Sequence, residues 1–198
     1  MHPRAYPLNT GWVEVIAGCM FSGKTEELIR RLNRASYATQ KVCVVKPSVD
    51  TRYAVGEVVT HNDLRFRCEP VANAADIIRV VGDAQVVGID EAQFFDDQLP
   101  EIVEYLADDG KRVICAGLDL DFRGQPFHPM PQLMAIAEYV QKLAAVCMVC
   151  GAPATRSQRL IAREKQVVLG STDAYEARCR RHWSKDPHPN RQQQLPLE

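Results

Sequence analysis

An eight-residue loop near the N-terminus restricts the folds that this chain can adopt. Its residues match the pattern G-x-x-x-x-G-K-[ST] and read Gly18-Cys19-Met20-Phe21-Ser22-Gly23-Lys24-Thr25. Glycines at both ends let the backbone curl so that its N–H groups point inward, where they bind phosphate oxygens. Lys24 offers a positive charge to the terminal phosphates, and Thr25 offers a hydroxyl to Mg²⁺. We interpret this segment as a phosphate-binding loop (P-loop), rather than as a glycine turn before a surface lysine.

The pattern around the loop predicts an α/β fold. An apolar run at 13–17 precedes the loop, and a segment with one apolar side, 24–35, follows it. Further apolar runs at 42–45, 85–89 and 112–116 alternate with helical patterns at 74–81 and 99–108, and residues 48–60 resemble a loop. A helix from Met130 to about Gln141 and a strand at 143–146 complete the prediction. Nearly continuous apolar strands are typical of a parallel sheet with helices on both faces.

Composition excludes several classes of function. The chain has 198 residues, 46% of them hydrophobic and 25% charged, with a formal net charge of -1. No overall basic field attracts nucleic acid or an anionic membrane. No apolar run approaches the roughly 18 residues of a spanning helix, and residues 1–11 lack the apolar core of a signal peptide. The odd number of cysteines, seven, excludes a fully paired disulfide framework. We therefore expect a cytoplasmic protein that binds neither nucleic acid nor membrane.

Two acidic residues, Asp90 and Glu91, follow the third apolar run directly. Because the carboxyl ends of parallel strands meet at one edge of a sheet, we expect both beside the P-loop. There Asp90 would hold Mg²⁺ through a water, and Glu91 would accept the proton of a hydroxyl that attacks a phosphoryl group. The alternative is that both acids cap the following helix. The P-loop favours the catalytic interpretation.

Two ligand pairs with the same spacing occur near the C-terminus, namely Cys147 with Cys150 and Cys179 with His182. Three thiolates and one imidazole suit tetrahedral Zn²⁺, and four protein ligands make a closed, structural site. A redox C-x-x-C or unrelated cysteines are the alternatives, but a redox pair does not require the second pair. The composition changes near 145, which predicts a nucleotide-binding domain at 11–145, a zinc-binding domain at 146–185 and a disordered tail at 186–198.

Cys19 lies within the P-loop near the predicted start of a helix. Such a position lowers the pKa of some thiols, so one hypothesis is that thiol reagents inactivate the protein and that ATP protects it. The alternative is an inert small residue.

Six motifs together resemble the type II thymidine kinase family, which includes cytosolic and bacterial enzymes. Besides the P-loop and the two cysteine pairs, they are Asp50-Thr51-Arg52-Tyr53, Asp90-Glu91-Ala92-Gln93-Phe94-Phe95 and residues 117–127. The resemblance extends from Gly11 to His182. It implies that the chain transfers the γ-phosphate of ATP, with Mg²⁺, to the 5′-hydroxyl of thymidine or deoxyuridine, in the salvage of deoxynucleotides for DNA synthesis. It also implies that the zinc-binding domain carries a lasso-like loop, residues 159–169, which closes over the nucleoside.

The resemblance also implies roles for individual residues. Glu91 corresponds to the general base, Asp90 to the Mg²⁺-linked acid, and Arg52 to an arginine that acts with Lys24 near the reacting groups. Ala92 and Gln93 belong to the ATP and Mg²⁺ site. The residues around the nucleoside correspond to Met20, Phe94, Phe122, Ser157, Val168 and Tyr175. The family is commonly a homotetramer that its end product, dTTP, inhibits.

Two other classes compete with this interpretation. A P-loop ATPase or GTPase would use water as the phosphoryl acceptor. A zinc-containing nucleic-acid-binding module would use the arginines of the C-terminal region, such as Arg156, Arg163 and Arg180. The balanced charge of the whole chain and the lack of aromatic residues among those arginines argue against the second class.

Overall fold

The computed structural model describes residues 10–48, 57–59, 65–160 and 174–185. Six strands form the central sheet: β1 (Trp12–Gly18), β2 (Val42–Pro47), β5 (Glu69–Val71), β6 (Val86–Ile89), β7 (Arg112–Gly117) and β8 (Tyr139–Leu143). In the described ranges, four helices accompany them: α1 (Lys24–Tyr37), α2 (Asp76–Val81), α3 (Leu99–Asp108) and α4 (Met130–Ile136). A single 3₁₀ turn, Ala92–Phe94, follows β6.

All neighbouring strands of the central sheet run parallel, in the order β5-β2-β6-β7-β1-β8. Alternate residues of β1 face opposite sides of the sheet, as the pleat requires. Val13 and Val15 join the core cluster that contains residues of α2, α3 and α4, whereas Ile16 joins the cluster that contains residues of α1. Helices therefore cover both faces, and the predicted α/β class is confirmed.

The order of the strands determines where the functional segments meet. β1 lies beside β7, and β7 lies beside β6. Because the three strands are parallel, their carboxyl ends lie at the same edge of the sheet. The P-loop follows β1, Asp90 and Glu91 follow β6, and the segment that begins at Leu118 follows β7. The sheet thus gathers three distant parts of the sequence into one region.

The predicted helix from Met130 to about Gln141 is wrong in its second half. The helix ends at Ile136, Ala137 has extended backbone angles, and Tyr139–Leu143 forms β8 beside β1. Glu138 accepts a hydrogen bond from the Val13 backbone N–H at 2.7 Å. Pairing with β1 therefore overrides the local helical pattern. The strand predicted at 143–146 is correspondingly a two-residue strand, β9 (Ala145–Val146).

The region between β2 and α2 contains more strand than the sequence predicts. Residues 57–59, assigned above to a loop, form β3 (Glu57–Val59), which pairs antiparallel with β4 (Arg65–Arg67). β5 adds an edge strand to the central sheet next to β2. Three-residue strands give too little alternation for a sequence pattern to reveal them.

The C-terminal region is a small β module. β9 pairs with β10 (Pro153–Ala154), and β11 (Arg156–Arg159) pairs with β12 (Tyr175–Arg178). Most of the lasso-like loop, the motif at 50–53 and the predicted tail at 186–198 lie outside the described residues. Within the described ranges, no helix has the length and apolarity needed to cross a membrane.

Candidate active site

The P-loop follows β1 in a conformation that needs its two glycines. Gly18 has φ 156°, and a Cβ there would lie 2.7 Å from the Leu143 carbonyl oxygen on β8. Gly23 has φ 83°, in the left-handed region that disfavours L side chains. The carbonyl oxygen of Cys19 accepts hydrogen bonds from Ser22 Oγ and from Lys24 Nζ, each at 2.8 Å. The loop therefore holds the Lys24 ammonium at the start of α1.

Asp90 lies against the first turn of α1. Its side chain is buried, with 7% of the residue exposed, and Thr25 Oγ1 donates to its Oδ2 at 3.2 Å. Burial and the neighbouring charge of Glu91 raise the pKa of Asp90 to about 7. Burial also lowers the pKa of Lys24, and this effect outweighs the negative charge of Glu91, which raises it. Thr25 and Asp90 together offer a hydroxyl and a carboxylate, the oxygen ligands that suit Mg²⁺.

Glu91 adopts a backbone conformation that is uncommon for a residue with a side chain. Its φ is 51° and its ψ is 41°, at the position that precedes the 3₁₀ turn. The Glu91 side chain makes no capping hydrogen bond to that turn, so the capping alternative does not hold for Glu91. Instead its Oε2 accepts a hydrogen bond from Gln93 Nε2 at 2.5 Å. Strained backbone of this kind is concentrated at functional sites.

Ala92 and Gln93 were expected at the ATP and Mg²⁺ site. The Ala92 side chain is fully buried in the core between the sheet and helices α2 to α4. Gln93 is 2% exposed, and its side chain contacts Glu91 and the backbone of Leu118. Both side chains are therefore buried next to the site, Ala92 in the core and Gln93 against Glu91 and Leu118.

Two of the residues predicted to surround a nucleoside connect the P-loop with the C-terminal module. The backbone N–H of Met20 donates to Ser157 Oγ at 3.1 Å. Ser157 lies on β11 and is 5% exposed. This bond joins two segments that are 137 residues apart in the sequence.

Aromatic residues line the same region from two sides. Phe94 packs edge-on against Phe127, with ring centroids 5.8 Å apart. Phe122 and Tyr175 are connected through Arg159, whose guanidinium lies 3.6 Å from the Phe122 ring centroid and donates to the Tyr175 hydroxyl at 2.7 Å. The half-buried Phe122 and Phe127 belong to the motif at 117–127. Predicted residues Phe94, Phe122 and Tyr175 thus all lie in aromatic contacts near the ends of β6 and β7 and on β12.

Three residues of this region are not among the predicted site residues. Arg159 is 2% exposed and lies two positions after Ser157 on the same strand, so the alternation of β11 was the available signal. Phe127 lies within a motif that was recognised, but its contact with Phe94 depends on the fold. Asp119 is 6% exposed, pairs with Lys142 Nζ at 2.5 Å, and follows β7 by two residues.

The hypothesis of a reactive Cys19 thiol is wrong. Cys19 is 2% exposed, and its Sγ donates to the Ala154 carbonyl oxygen at 3.2 Å. Burial raises the pKa of this thiol rather than lowering it. Cys19 packs in a cluster with residues of the C-terminal module, such as Ala154 and Ala177. It is a packing residue between the P-loop and that module.

The four predicted zinc ligands lie together. Their ligand atoms all lie within 4.8 Å of one another. Cys150 Sγ is 3.9 Å from Cys179 Sγ, and His182 Nδ1 is 3.7 Å from Cys147 Sγ and 3.4 Å from Cys179 Sγ. Zn–S bonds of about 2.3 Å in a tetrahedron require sulfur atoms about 3.8 Å apart. The Cys₃His group therefore fits a structural Zn²⁺.

The electrostatics of Cys147 also suit a metal ligand. Burial by itself would raise its pKa, but backbone N–H groups of Cys179, Val149 and Cys150, together with His182, lower the pKa of Cys147 to about 6. At neutral pH Cys147 is therefore largely in the thiolate form, which is the form that binds a metal.

Two predicted site residues, Arg52 and Val168, lie outside the described residues. The contacts expected of them remain predictions.

The parallel sheet, the loop between β1 and α1 and the acid at the end of β6 define a P-loop nucleotide-binding protein. The family profile described as "Thymidine kinase" matches residues 11–183. A thymidine kinase from Rhodothermus sp. (strain ITI 518) is 58% identical over 173 residues, which cover 87% of this chain and 81% of that protein. The chain therefore belongs to the thymidine kinase family and is an ATP-dependent phosphotransferase.

Proposed function

We propose that this protein transfers the γ-phosphate of ATP to the 5′-hydroxyl of thymidine, and less efficiently to that of deoxyuridine, in deoxynucleotide salvage. One observation carries the proposal: Lys24, Thr25, Asp90 and Glu91 meet at the carboxyl edge of the sheet, with Thr25 Oγ1 3.2 Å from Asp90 Oδ2. A phosphate-binding loop, a cation site and a proton acceptor are the parts that transfer to a hydroxyl requires.

The P-loop binds the phosphates of ATP. Its backbone N–H groups and the N-terminus of α1 attract the anion, and the Lys24 ammonium lies beside the β- and γ-phosphates. Because Lys24 already donates to the Cys19 carbonyl oxygen at 2.8 Å, its side chain is aligned along the loop before ATP binds. Lys24 then stabilises the charge that develops on the transferring group.

Glu91 accepts the proton of the 5′-hydroxyl. The hydroxyl lies in line with the γ-phosphate, and Glu91 orients it by accepting its hydrogen bond. Positioning supplies most of the rate because phosphoryl transfer needs little covalent help from the protein. Arg52 is proposed as a second cationic group near the reacting atoms.

Two metal ions have different roles in this proposal. Thr25 and Asp90 would hold Mg²⁺, Asp90 through a bound water; the ion neutralises phosphate charge when bound. The Cys₃His group would hold Zn²⁺ with four protein ligands, which makes its role structural.

Specificity for the base comes from the aromatic residues and the lasso-like loop. Met20, Phe94, Phe122, Ser157 and Tyr175 surround the thymine ring, and backbone groups near Val168 read its hydrogen-bonding edge. The ring edge distinguishes thymine and uracil from cytosine. The 5-methyl group of thymine adds only about 1 kcal/mol, so deoxyuridine is a poorer substrate but is not excluded.

Several broader features belong to the same proposal. We expect a nucleotide-binding domain at 11–145 and a zinc-binding domain with the lasso at 146–185. Membership of the family supports a homotetramer and inhibition by dTTP. None of the seven cysteines forms a disulfide in the structure, which is usual in a reducing cytoplasm and agrees with the proposed cytoplasmic location.

A coupled kinase assay tests the proposal directly. Purified protein with ATP and Mg²⁺ is compared on thymidine, deoxyuridine, deoxycytidine and deoxyadenosine. We expect strong turnover of thymidine, weaker turnover of deoxyuridine and none of the other two. ATP hydrolysis that is independent of nucleoside would instead indicate an ATPase, and a complete lack of turnover with deoxyuridine would contradict the account of the methyl group.

A further inference from the structure

The side chain of Gln93 is buried between the end of β6 and the end of β7. Its Oε1 accepts a hydrogen bond from the Leu118 backbone N–H at 2.9 Å, and its Nε2 donates to Glu91 Oε2 at 2.5 Å. A backbone N–H can only donate, so the atom that faces Leu118 must be the amide oxygen. The amide nitrogen must then face Glu91. The orientation of the Gln93 amide is therefore determined by its two partners.

A glycine on β7 makes room for this amide. A Cβ on Gly117 would lie 2.7 Å from Gln93 Oε1 and 2.6 Å from Met130 Sδ. The φ of Gly117 lies outside the left-handed region, so its backbone does not require glycine. A larger residue at 117 would disturb the close approach of the Gln93 side chain to β7.

The contact with Gln93 restricts the rotation of the Glu91 carboxylate. A glutamate has three side-chain torsions, and each additional bond to its oxygens reduces the orientations it samples. The Glu91 backbone is held in the left-handed region, and its N–H donates to Asp90 Oδ1 at 3.0 Å. The bond from Gln93 extends this restraint from the backbone to the carboxylate. It also ties Glu91 to Leu118, which begins the segment that carries Phe122 and Phe127.

We propose that Gln93 is the positioning residue for the Glu91 carboxylate. Gln93 fixes one oxygen of Glu91 relative to the backbone after β7, and so aligns the proton acceptor with the nucleoside hydroxyl. The inference rests on the proposed function, because it takes Glu91 as the group that accepts the proton. The expected place of Gln93 at the ATP and Mg²⁺ site stays a separate prediction.

The first test is the variant Gln93→Met, which keeps the length of the side chain and removes both hydrogen bonds. A misaligned catalytic group costs turnover rather than binding, so we expect kcat to fall about tenfold to a hundredfold. KM values for thymidine and ATP should stay within about twofold of the parent values. Gln132→Met on α4 is the matched control, because Gln132 is exposed and, among the described residues, its side chain hydrogen-bonds to His128 alone. A parental kcat in Gln93→Met would overturn the proposal.

Gln93→Glu keeps the proposal testable if Gln93→Met folds poorly. An ionised carboxylate at 93 still accepts from the Leu118 N–H but puts an oxygen where the donor to Glu91 was. Because a protonated carboxyl could donate to Glu91 as the amide does, kcat is compared up to about pH 9. We expect a loss of kcat at least as large as in Gln93→Met, with folding preserved by circular dichroism. A kcat equal to that of the parent would contradict the positioning role.

A double-mutant cycle separates positioning from general support of the fold. If Gln93 acts through Glu91, Gln93→Met lowers kcat in the parent but hardly changes it in the Glu91→Gln background. Equal losses in both backgrounds would show that Gln93 acts independently of Glu91 and would overturn the inference alone. A near-normal kcat in Glu91→Gln would remove Glu91 as the proton acceptor, and the inference would fail with that part of the proposed function.

Discussion

At the scale of single residues, Asp90 shows how burial prepares a group for a cation. Its carboxyl lies between Thr25 and Glu91, and burial together with the charge of Glu91 raises its pKa to about 7 from the ordinary 3.8. A bound cation favours the ionised form and lowers the pKa again. In the proposed function, Asp90 would therefore exchange a proton for a cation near neutral pH.

We predict that binding of Mg²⁺·ATP releases a proton from Asp90. About half of the ligand-free molecules carry this proton at pH 7, so release should be about half a proton at pH 7 and near zero at about pH 8.5. Calorimetric titration in two buffers of different ionisation enthalpy measures the proton count. Release that does not change over this pH range would show that Asp90 is already ionised in the ligand-free protein.

The same shift predicts how stability depends on pH. An acid whose pKa rises on folding binds its proton more tightly in the folded chain than in the unfolded chain. The protonated Asp90 therefore makes its full contribution to the free energy of unfolding below about pH 4. This contribution is lost as the pH rises through about 7. Asp90→Asn should remove this loss and make the ligand-free protein about 1–3 kcal/mol more stable at pH 8. Urea unfolding at pH 5 and pH 8 provides the test. An equal difference between variant and parent at both pH values would contradict the prediction.

At the scale of secondary-structure elements, one buried carboxylate joins β1, α1 and β7. Glu14 on β1 is 3% exposed and accepts hydrogen bonds from Arg31 of α1 at 2.6 Å and from Arg112 of β7 at 2.7 Å. Trp12 Nε1 donates to it at 2.8 Å. Burial alone would raise the pKa of Glu14, but Arg112, Trp12 and Arg31 outweigh burial and lower it. This network holds the helix that follows the P-loop against the sheet.

We predict that Glu14→Gln destabilises the protein by about 2–4 kcal/mol at pH 7, because Arg112 loses the carboxylate that it pairs with and Arg31 keeps only its pair with Glu27. Urea unfolding measures the change, and Glu101→Gln on the exposed side of α3 is the control. The lowered pKa means that the ionised Glu14 stabilises the fold above about pH 4.5 and that this stabilisation disappears as the pH falls through the lowered value. The variant and the parent should therefore converge in acid. A difference that persists at about pH 2 would point to packing instead of charge.

At the scale of the whole molecule, Cys19 of the P-loop belongs to the core of the C-terminal module that carries the Cys₃His group. Cys19 packs in one cluster with Ala154 and the ligands Cys147 and Cys179. Its thiol donates to the Ala154 carbonyl oxygen, and the next residue, Met20, donates to Ser157 Oγ. The geometry of the loop therefore depends on a module that contributes none of the P-loop residues.

We predict that losing zinc weakens ATP binding although no ligand of the ion lies in the P-loop. Cys150→Ser should remove the bound zinc, lower Tm and raise the KM for ATP by about tenfold, because the module folds around the metal. Zinc content by atomic absorption, thermal unfolding and initial rates measure the three effects. Met148→Ala, an exposed neighbour between two ligands, is the control. Normal ATP kinetics in a zinc-free variant would show that the two parts are independent.

Local patterns in the sequence were enough to predict the separate motifs of the site. The glycines and lysine of the P-loop, the acids after an apolar run and the two C-x-x-C/H pairs each act over a few residues, so their spacing alone predicts their chemistry. The alternation of apolar runs with helical patterns likewise predicts a parallel sheet. Once a parallel sheet is inferred, the edge at which Lys24, Asp90 and Glu91 meet follows from the direction of the strands.

Contacts between distant segments were decided by the tertiary structure. Residues 139–143 form β8 because β1 offers an unpaired edge, which no local pattern in that segment reveals. Cys19 is buried because a module more than 125 residues later covers it. Gln93 contacts Glu91 because Gly117 and Leu118 of a different segment leave room for its amide and bind it. In each case the energy comes from burial and pairing with a partner far along the chain, and such partners are known only once the chain has folded.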